Sequence, residues 1–270
     1  FSRLVRLKAL DGHTYYGEAG QNWETGLRGQ KVDTFTGGDP WDEKFQLSGK
    51  KAIVGEEQKV LCPLEKVPII LGIGLNYRTH AEECGWTIPS FPLVFTKFAD
   101  CRAGPFEDIP IHPEAHELDY EGEFSVVIGK DAKNVSKDED PLDYVLGFTV
   151  GNDMSSRYWQ DPERSSSQHS TAKSFDKFAP LGPVIASLKA VGDPEKLRLR
   201  TWVNGELRQD TSTGDLIFGV RHLIRHLSRG KTLRKGTVIM TGTPSGVAAF
   251  HKPPKWLRNG DLVEIEIEKI

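Results

Sequence analysis

Apolar and polar positions alternate with a period of two over many short stretches of this chain, the pattern of half-buried strands. Residues 2–9 alternate in this way, and Asp11-Gly12 followed by Thr14-Tyr15-Tyr16 predicts a hairpin return. Between Gly17 and about Lys51 the chain is rich in Gly, Asp and Thr and poor in apolar residues, which predicts irregular connections. Beyond Pro68 the signal strengthens. Short apolar runs at residues 69–73 and 145–150 predict buried strands, residues 93–98 predict another strand, and residues 79–84 predict a helical turn or two. Ser136-Lys137-Asp138-Glu139 has the spacing of a reciprocal helix cap. Residues 197–203 and 206–209 flank Asn204-Gly205, a strong hairpin signal, because these two residues tolerate the positive φ angles of the turn. Ile217, Val220, Leu223, Ile224 and Leu227 fall on one helical face, and strands are expected at 237–241 and 262–267. A polar loop around Ser165-Ser166-Ser167, residues 161–171, is expected to be mobile.

Strands outnumber helices and no regular strand–helix–strand alternation is present. The expected class is therefore mainly β with some α, an α+β architecture of mostly antiparallel sheet with a few covering helices. Pro63 and Pro68 bracket a change of pattern. Residues 1–64 are expected to form a small β-rich N-terminal unit, and residues 65–270 the larger domain.

Composition narrows the partners. With 35 basic and 38 acidic residues the formal charge is −3, so no polyanion-binding surface and no nucleic-acid partner are expected. No apolar run approaches a membrane span. Cys62, Cys84 and Cys101 are scattered and lack CxxC spacing, which argues against disulfides or a zinc site. A reducing compartment fits, cytoplasm or mitochondrial matrix, and Phe at position 1 leaves room for an upstream segment.

The densest chemistry is Asp119-Tyr120-Glu121-Gly122-Glu123. On a strand Glu121 and Glu123 point the same way, and like charges held together call for a cation or a shared proton. Asp153, following the apolar run 145–150, would complete a hard all-oxygen site for Mg²⁺, Mn²⁺ or Ca²⁺. The plain alternative is a solvated acidic face, the reading given to Glu264, Glu266 and Glu268. His80 and Glu83 are three apart, so on a helix they meet and could act as an acid–base pair; an ordinary surface helix would look the same. Lys173 is either a surface lysine or a counter-charge for an oxoacid. Other chemistries recede. Gly72-Ile73-Gly74 has Tyr77 where a dinucleotide turn needs glycine, Thr243-Pro244-Ser245-Gly246 lacks the first glycine of a serine elbow, and no Walker lysine loop occurs.

Taken in order, Asn76-Tyr77-x-x-His80-x-x-Glu83, Phe95-Thr96-Lys97, Asp119 to Glu123, Gly151-Asn152-Asp153, Arg157 with Gln160, Lys173-Ser174-Phe175-Asp176, Pro180-Leu181-Gly182-Pro183, Val203-Asn204-Gly205 and Thr241-Gly242-Thr243-Pro244-x-Gly246-Val247 resemble the fumarylacetoacetate hydrolase superfamily. The likeness is to its compact fumarylacetoacetate hydrolase domain-containing proteins, and Lys252-Pro253-Pro254 is similar to the branch described as oxaloacetate tautomerases. It covers residues 67–270. The resemblance implies a rolled β-sandwich core, a homodimer, and one Mg²⁺ or Mn²⁺ held by Glu121, Glu123 and Asp153. It also implies His80 and Glu83 as a dyad on a segment that closes over substrate. Arg157, Gln160, Lys173 and Thr243 would line the pocket. Tyr158 stands where relatives often carry Asp, and the Ser-rich loop departs from the pattern. The expected activity is metal-dependent chemistry on a small 2-oxo or 1,3-dicarbonyl acid through a stabilised enolate. C–C hydrolysis of an acylpyruvate leads, oxaloacetate tautomerisation or decarboxylation is the alternative, and a non-catalytic metal-binding scaffold is the rival from another class.

Overall fold

The computed structural model describes residues 1–20, 23, 26–55 and 59–270. Among these, one sheet of 12 strands dominates. Its main path runs from Gln46–Ile53 at one edge through Lys31–Thr36, Thr14–Glu18, Arg3–Lys8, Ala179–Ala186, Val145–Asn152, Gly122–Ile128, Val238–Met240 and Ile70–Gly74 to Leu93–Lys97. Neighbours are antiparallel except Val238–Met240 on Ile70–Gly74 and Ala179–Ala186 on the short Arg102–Ala103 strand. A second sheet of three strands, Glu206–Ser212, Arg198–Val203 and Val263–Ile267, carries the Asn204-Gly205 hairpin, whose φ angles of 51° and 77° are those the turn requires. Mainly β with some α is the observed class.

The Gly122–Ile128 strand lies mid-sheet and every one of its residues is buried. Phe124 stacks on Phe148 of the neighbouring strand, ring centroids 5.1 Å apart, inside the main apolar cluster. The helix Val220–Leu227 buries Val220, Leu223, Ile224 and Leu227 in the same cluster, the face expected from their spacing. Arg3–Lys8 pairs with Ala179–Ala186, so the N-terminal strands extend the sheet that holds residues 122–128. No helix among the described residues is long and apolar enough to cross a membrane. Cys62, Cys84 and Cys101 are free thiols.

Three expectations need correction. The stretch read as irregular holds the paired strands Lys31–Thr36 and Gln46–Ile53. The latter is an edge strand exposed along most of its length, held by backbone hydrogen bonds, and so lacks an apolar signature. Ser136-Glu139 starts no α-helix. The Ser136 amide does donate to Glu139 Oε2 (3.0 Å), but the chain enters a short 3₁₀ turn, Pro141–Tyr144, where Pro141 takes up no backbone bond and Asp140 caps Leu142. The Ser-rich segment is partly helical, with Pro162–Ser165 and Ser170–Lys173 separated by Ser166 and Ser167 at positive φ.

Candidate metal centre and active site

The ladder itself assembles the acidic cluster. Gly122 pairs with Asn152 and Glu123 with Gly151, so one step further Glu121 lies opposite Asp153, whose amide donates to the Glu121 carbonyl (2.9 Å). Glu121, Glu123 and Asp153 are 5%, 1% and 0% exposed, and each offers an oxygen within 4.8 Å of the others'. A solvated acidic face is thereby excluded. Gly122 has no room for a side chain, because a Cβ there would stand 2.3 Å from Thr201 Oγ1 of the second sheet.

Charge around the cluster is closely matched. The Lys173 ammonium bridges Glu121 Oε2 and Asp153 Oδ2 at 2.7 Å each. Lys97, equally buried, donates to Asp153 Oδ1 and to the Met154 carbonyl (3.1 Å). Burial works to raise the Glu121 pKa, but Lys173 and then Arg157 outweigh it and hold the carboxyl below its usual range. Glu123 goes the other way. Burial first, then the charges of Asp153 and Glu121, push it well up, against the charge of Lys173 and the Gly242 amide (2.8 Å). Three buried oxygen donors that converge on one another, one of them driven toward its neutral form by the negative charge of its neighbours, fit a hard divalent cation. Lys97 and Lys173 remain compatible with it because Glu123 is paired with neither.

His80 sits on the helix Arg78–Cys84, and its Nδ1 is 2.9 Å from Glu83 Oε2. A carboxylate only accepts, so Nδ1 carries a proton, which in the neutral ring is the tautomer that leaves the lone pair on Nε2. The helix has no side-chain cap of its own at Tyr77; Asp215 supplies one from outside, accepting from the Thr79 amide (3.0 Å) and hydroxyl (2.7 Å). One loop joins dyad and cluster. The Gly242 amide holds Glu123, and the Gly246 amide donates to Glu83 Oε1 (3.0 Å). Only glycine serves at 242, where φ is 105° and a Cβ would press within 2.8 Å of Asn76 Cβ. Electrostatics also records the closeness. Cys84 on this helix is pushed up to about 12, by burial first, then Glu83, with Glu121 adding to it, and Tyr77 is pushed up by burial and by Glu123. Phe250 stands edge-on to His80 at 5.6 Å.

The remaining residues singled out in the sequence converge here with one qualification. Arg157 donates through Nε to Asp119 Oδ2 (2.8 Å) and through Nη1 to Gln160 Oε1 (2.7 Å), while Gln160 Nε2 meets His169 Nδ1 at 3.0 Å. The Thr243 hydroxyl is already engaged, donating to the Gly122 carbonyl (3.1 Å) and accepting from Gln209 Nε2 (2.8 Å). Its first duty is to brace the strand. Tyr158 turns toward His116 and Trp159, with the Arg164 guanidinium 4.0 Å over its ring.

Four participants were not assigned a role from sequence. Lys97 was hidden as the second polar residue of an apolar strand. Asp119 was visible in principle, since Asp119, Glu121 and Glu123 continue one alternation. Gln209, whose Oε1 accepts from the Gly122 amide (3.0 Å), lies in the far arm of the hairpin and gives no local signal. His169 stacks on Phe95 (5.7 Å) and is pushed down by burial and by the charge of Lys173. It sits within the serine-rich segment.

The profile of the fumarylacetoacetate (FAA) hydrolase C-terminal family matches residues 69–270. The chain is 41% identical over 214 residues to the Bos taurus protein named oxaloacetate tautomerase FAHD2B, mitochondrial, covering 79% of this chain and 68% of that one. It is 44% identical over 218 residues to oxaloacetate tautomerase YisK of Bacillus subtilis (strain 168), covering 79% and 71%. Among solved structures, 2-hydroxyhepta-2,4-diene-1,7-dioate isomerase from Mycobacterium marinum superposes with a TM-score of 0.80 at 30% identity, over 99% of this chain and 94% of that one. A profile match over most of the chain, relatives above 40% identity and a shared fold lead to one conclusion: the chain belongs to the fumarylacetoacetate hydrolase family.

Proposed function

We propose that this chain interconverts the keto and enol forms of a small 2-oxo dicarboxylic acid, oxaloacetate in the first instance, with the help of Mg²⁺ or Mn²⁺. The observation that carries this reading is the single loop, Gly242 to Gly246, that fastens a buried carboxylate cluster to the His80–Glu83 pair. When bound by Glu121, Glu123 and Asp153, a divalent cation supplies Lewis acidity to the oxygens of a 2-oxo acid. His80 does the proton work. Its Nε2 takes a proton from C3 of the keto acid and returns it to the oxygen on C2, giving the enol; the reverse sequence regenerates the ketone. Glu83 keeps the ring in the tautomer that leaves Nε2 basic and offsets the imidazolium charge between the two transfers. Arg157 and Lys173 supply positive charge to carboxylate oxygens, and Gln160 holds the Arg157 fork in plane.

C–C hydrolysis of an acylpyruvate would call on the same residues plus an attacking water. The relatives named as tautomerases favour the proton shuttle, which needs none. The discriminating experiment supplies enol oxaloacetate and acetylpyruvate in parallel with Mg²⁺ and follows both by NMR in D₂O. Metal-dependent exchange at C3 of oxaloacetate with acetylpyruvate intact is the expected result. Release of acetate and pyruvate at a comparable rate would replace the tautomerase reading with the hydrolase.

A further inference from the structure

Asp119 lies at the junction of two parts of the site. It is fully buried, and its carboxylate accepts from the Ala248 amide through Oδ1 (2.7 Å) and from the Ala249 amide (3.1 Å) and Arg157 Nε (2.8 Å) through Oδ2. Two backbone amides therefore fix the carboxylate, and the carboxylate fixes one edge of the guanidinium. Gln160 takes Nη1. What remains is Nη2, which is buried and 2.7 Å from Glu121 Oε1. That approach is an ion-pair contact off the hydrogen-bond direction, and Nη2 has no hydrogen-bond partner among the described residues. An arginine in this place can serve an anionic substrate oxygen, or it can turn onto Glu121 and compete with a cation for that carboxylate.

We propose that Asp119 is the positioning residue that decides between these two states. By gripping Nε it holds the Arg157 fork short of a full bidentate pair with Glu121, leaving Glu121 to the divalent cation and Nη2 to the substrate. The inference rests on the reading of Glu121 as a metal ligand and not on which reaction the site performs. Asp119→Asn keeps the shape of the side chain but removes the charge opposite Arg157, so Glu121 becomes the one carboxylate against which the guanidinium can settle.

Calorimetric titration of the full chain with Mn²⁺ tests this without reference to activity. Asp119→Asn is expected to weaken Mn²⁺ binding about tenfold, the effect of one charge-assisted hydrogen bond gained by the competitor. Adding Arg157→Gln to that variant should return the affinity to the wild-type value or beyond. Wild-type affinity in Asp119→Asn overturns the proposal. So does a double variant as weak as the single one, since damage to the strand alone would not be repaired by removing Arg157. Should Asp119→Asn fail to fold, Arg157→Gln alone carries the test: with the guanidinium already held by Asp119, Mn²⁺ affinity is expected to stay near the wild-type value, and a change of about tenfold in either direction overturns the proposal. A wild-type chain that takes up no Mn²⁺ removes the metal-ligand reading, and the inference with it, and is told apart from the other outcomes by the unmutated control.

Discussion

Two stretches of this molecule place acidic residues at alternate positions along a strand, and they end in opposite circumstances. Glu121 and Glu123 are buried beside Asp153. Glu264 and Glu266, on Val263–Ile267, stay exposed, and Glu266 pairs with Arg200 across the strand at 2.7 Å. The spacing is identical, so spacing did not decide. Position in the sheet did. Gly122–Ile128 has a strand on either side and the second sheet across one face, whereas Val263–Ile267 lies at the edge of the smaller sheet with its acidic face toward solvent. The two strands even touch, because the missing side chain of Gly122 leaves the space that Thr201, Gln209 and Ile265 fill. Alternation gives carboxylates a common direction. Only burial on both sides turns that direction into a cost that a cation relieves.

The sharpest way to break the comparison is to remove carboxylates on each side of it. Glu121→Ala and Asp153→Ala should each lower Mn²⁺ affinity by at least about a hundredfold and reduce turnover to background, since loss of a direct ligand exceeds the effect of losing its supporting contacts. Calorimetry and proton exchange by NMR would measure this. Wild-type Mn²⁺ affinity in both variants would show that the buried cluster is held by its lysines alone.

Next in size is His80→Ala, which separates the dyad from the cluster. Turnover should fall roughly 10²- to 10⁴-fold, the usual contribution of a positioned proton carrier, with Mn²⁺ affinity unchanged. A matched loss of metal binding would mean that the helix Arg78–Cys84 braces the cluster and that its histidine is not the proton carrier.

A third variant tests the contact between the two strands. Gly122→Ala pushes a methyl group against Thr201 Oγ1, 2.3 Å from the ideal Cβ position, and toward the Gln209 amide oxygen. The second sheet must shift to admit it, so urea denaturation should report a loss of about 1–3 kcal/mol, typical of an overpacked site. A neutral result would indicate that the smaller sheet slides freely over residue 122.

Much of this was legible from the amino acids, for a physical reason that also explains the gaps. Ile70–Gly74 and Val145–Asn152 carry apolar side chains because they line a core, and the hairpin at Asn204-Gly205 carries residue types that its turn favours. The Glu121, Glu123 and Asp153 cluster could be suspected because each arm runs into an apolar stretch. Gln46–Ile53 was invisible, since an exposed edge strand is held by backbone groups that every residue possesses. Ser136 and Glu139 make half of a cap without a helix behind it, because Pro141 redirects the chain. Lys97 and Gln209 gain their meaning from partners far away in sequence, and no local pattern announces such contacts.

The smallest expected effect lies on the outer strand and is informative because it is small. Glu266→Gln removes an ion pair whose side chains are 54% and 34% exposed. Pairs this wet contribute less than about 1 kcal/mol, and salt screens most of that. Urea denaturation should therefore show a slight loss at low ionic strength that disappears at high salt, with Mn²⁺ affinity untouched in both. If Glu266→Gln weakened Mn²⁺ binding, the outer acidic row would belong to the field that attracts the cation, and burial would no longer be what separates the two strands. A salt-resistant loss of stability would point the same way, because only a desolvated pair keeps its strength when ions are added.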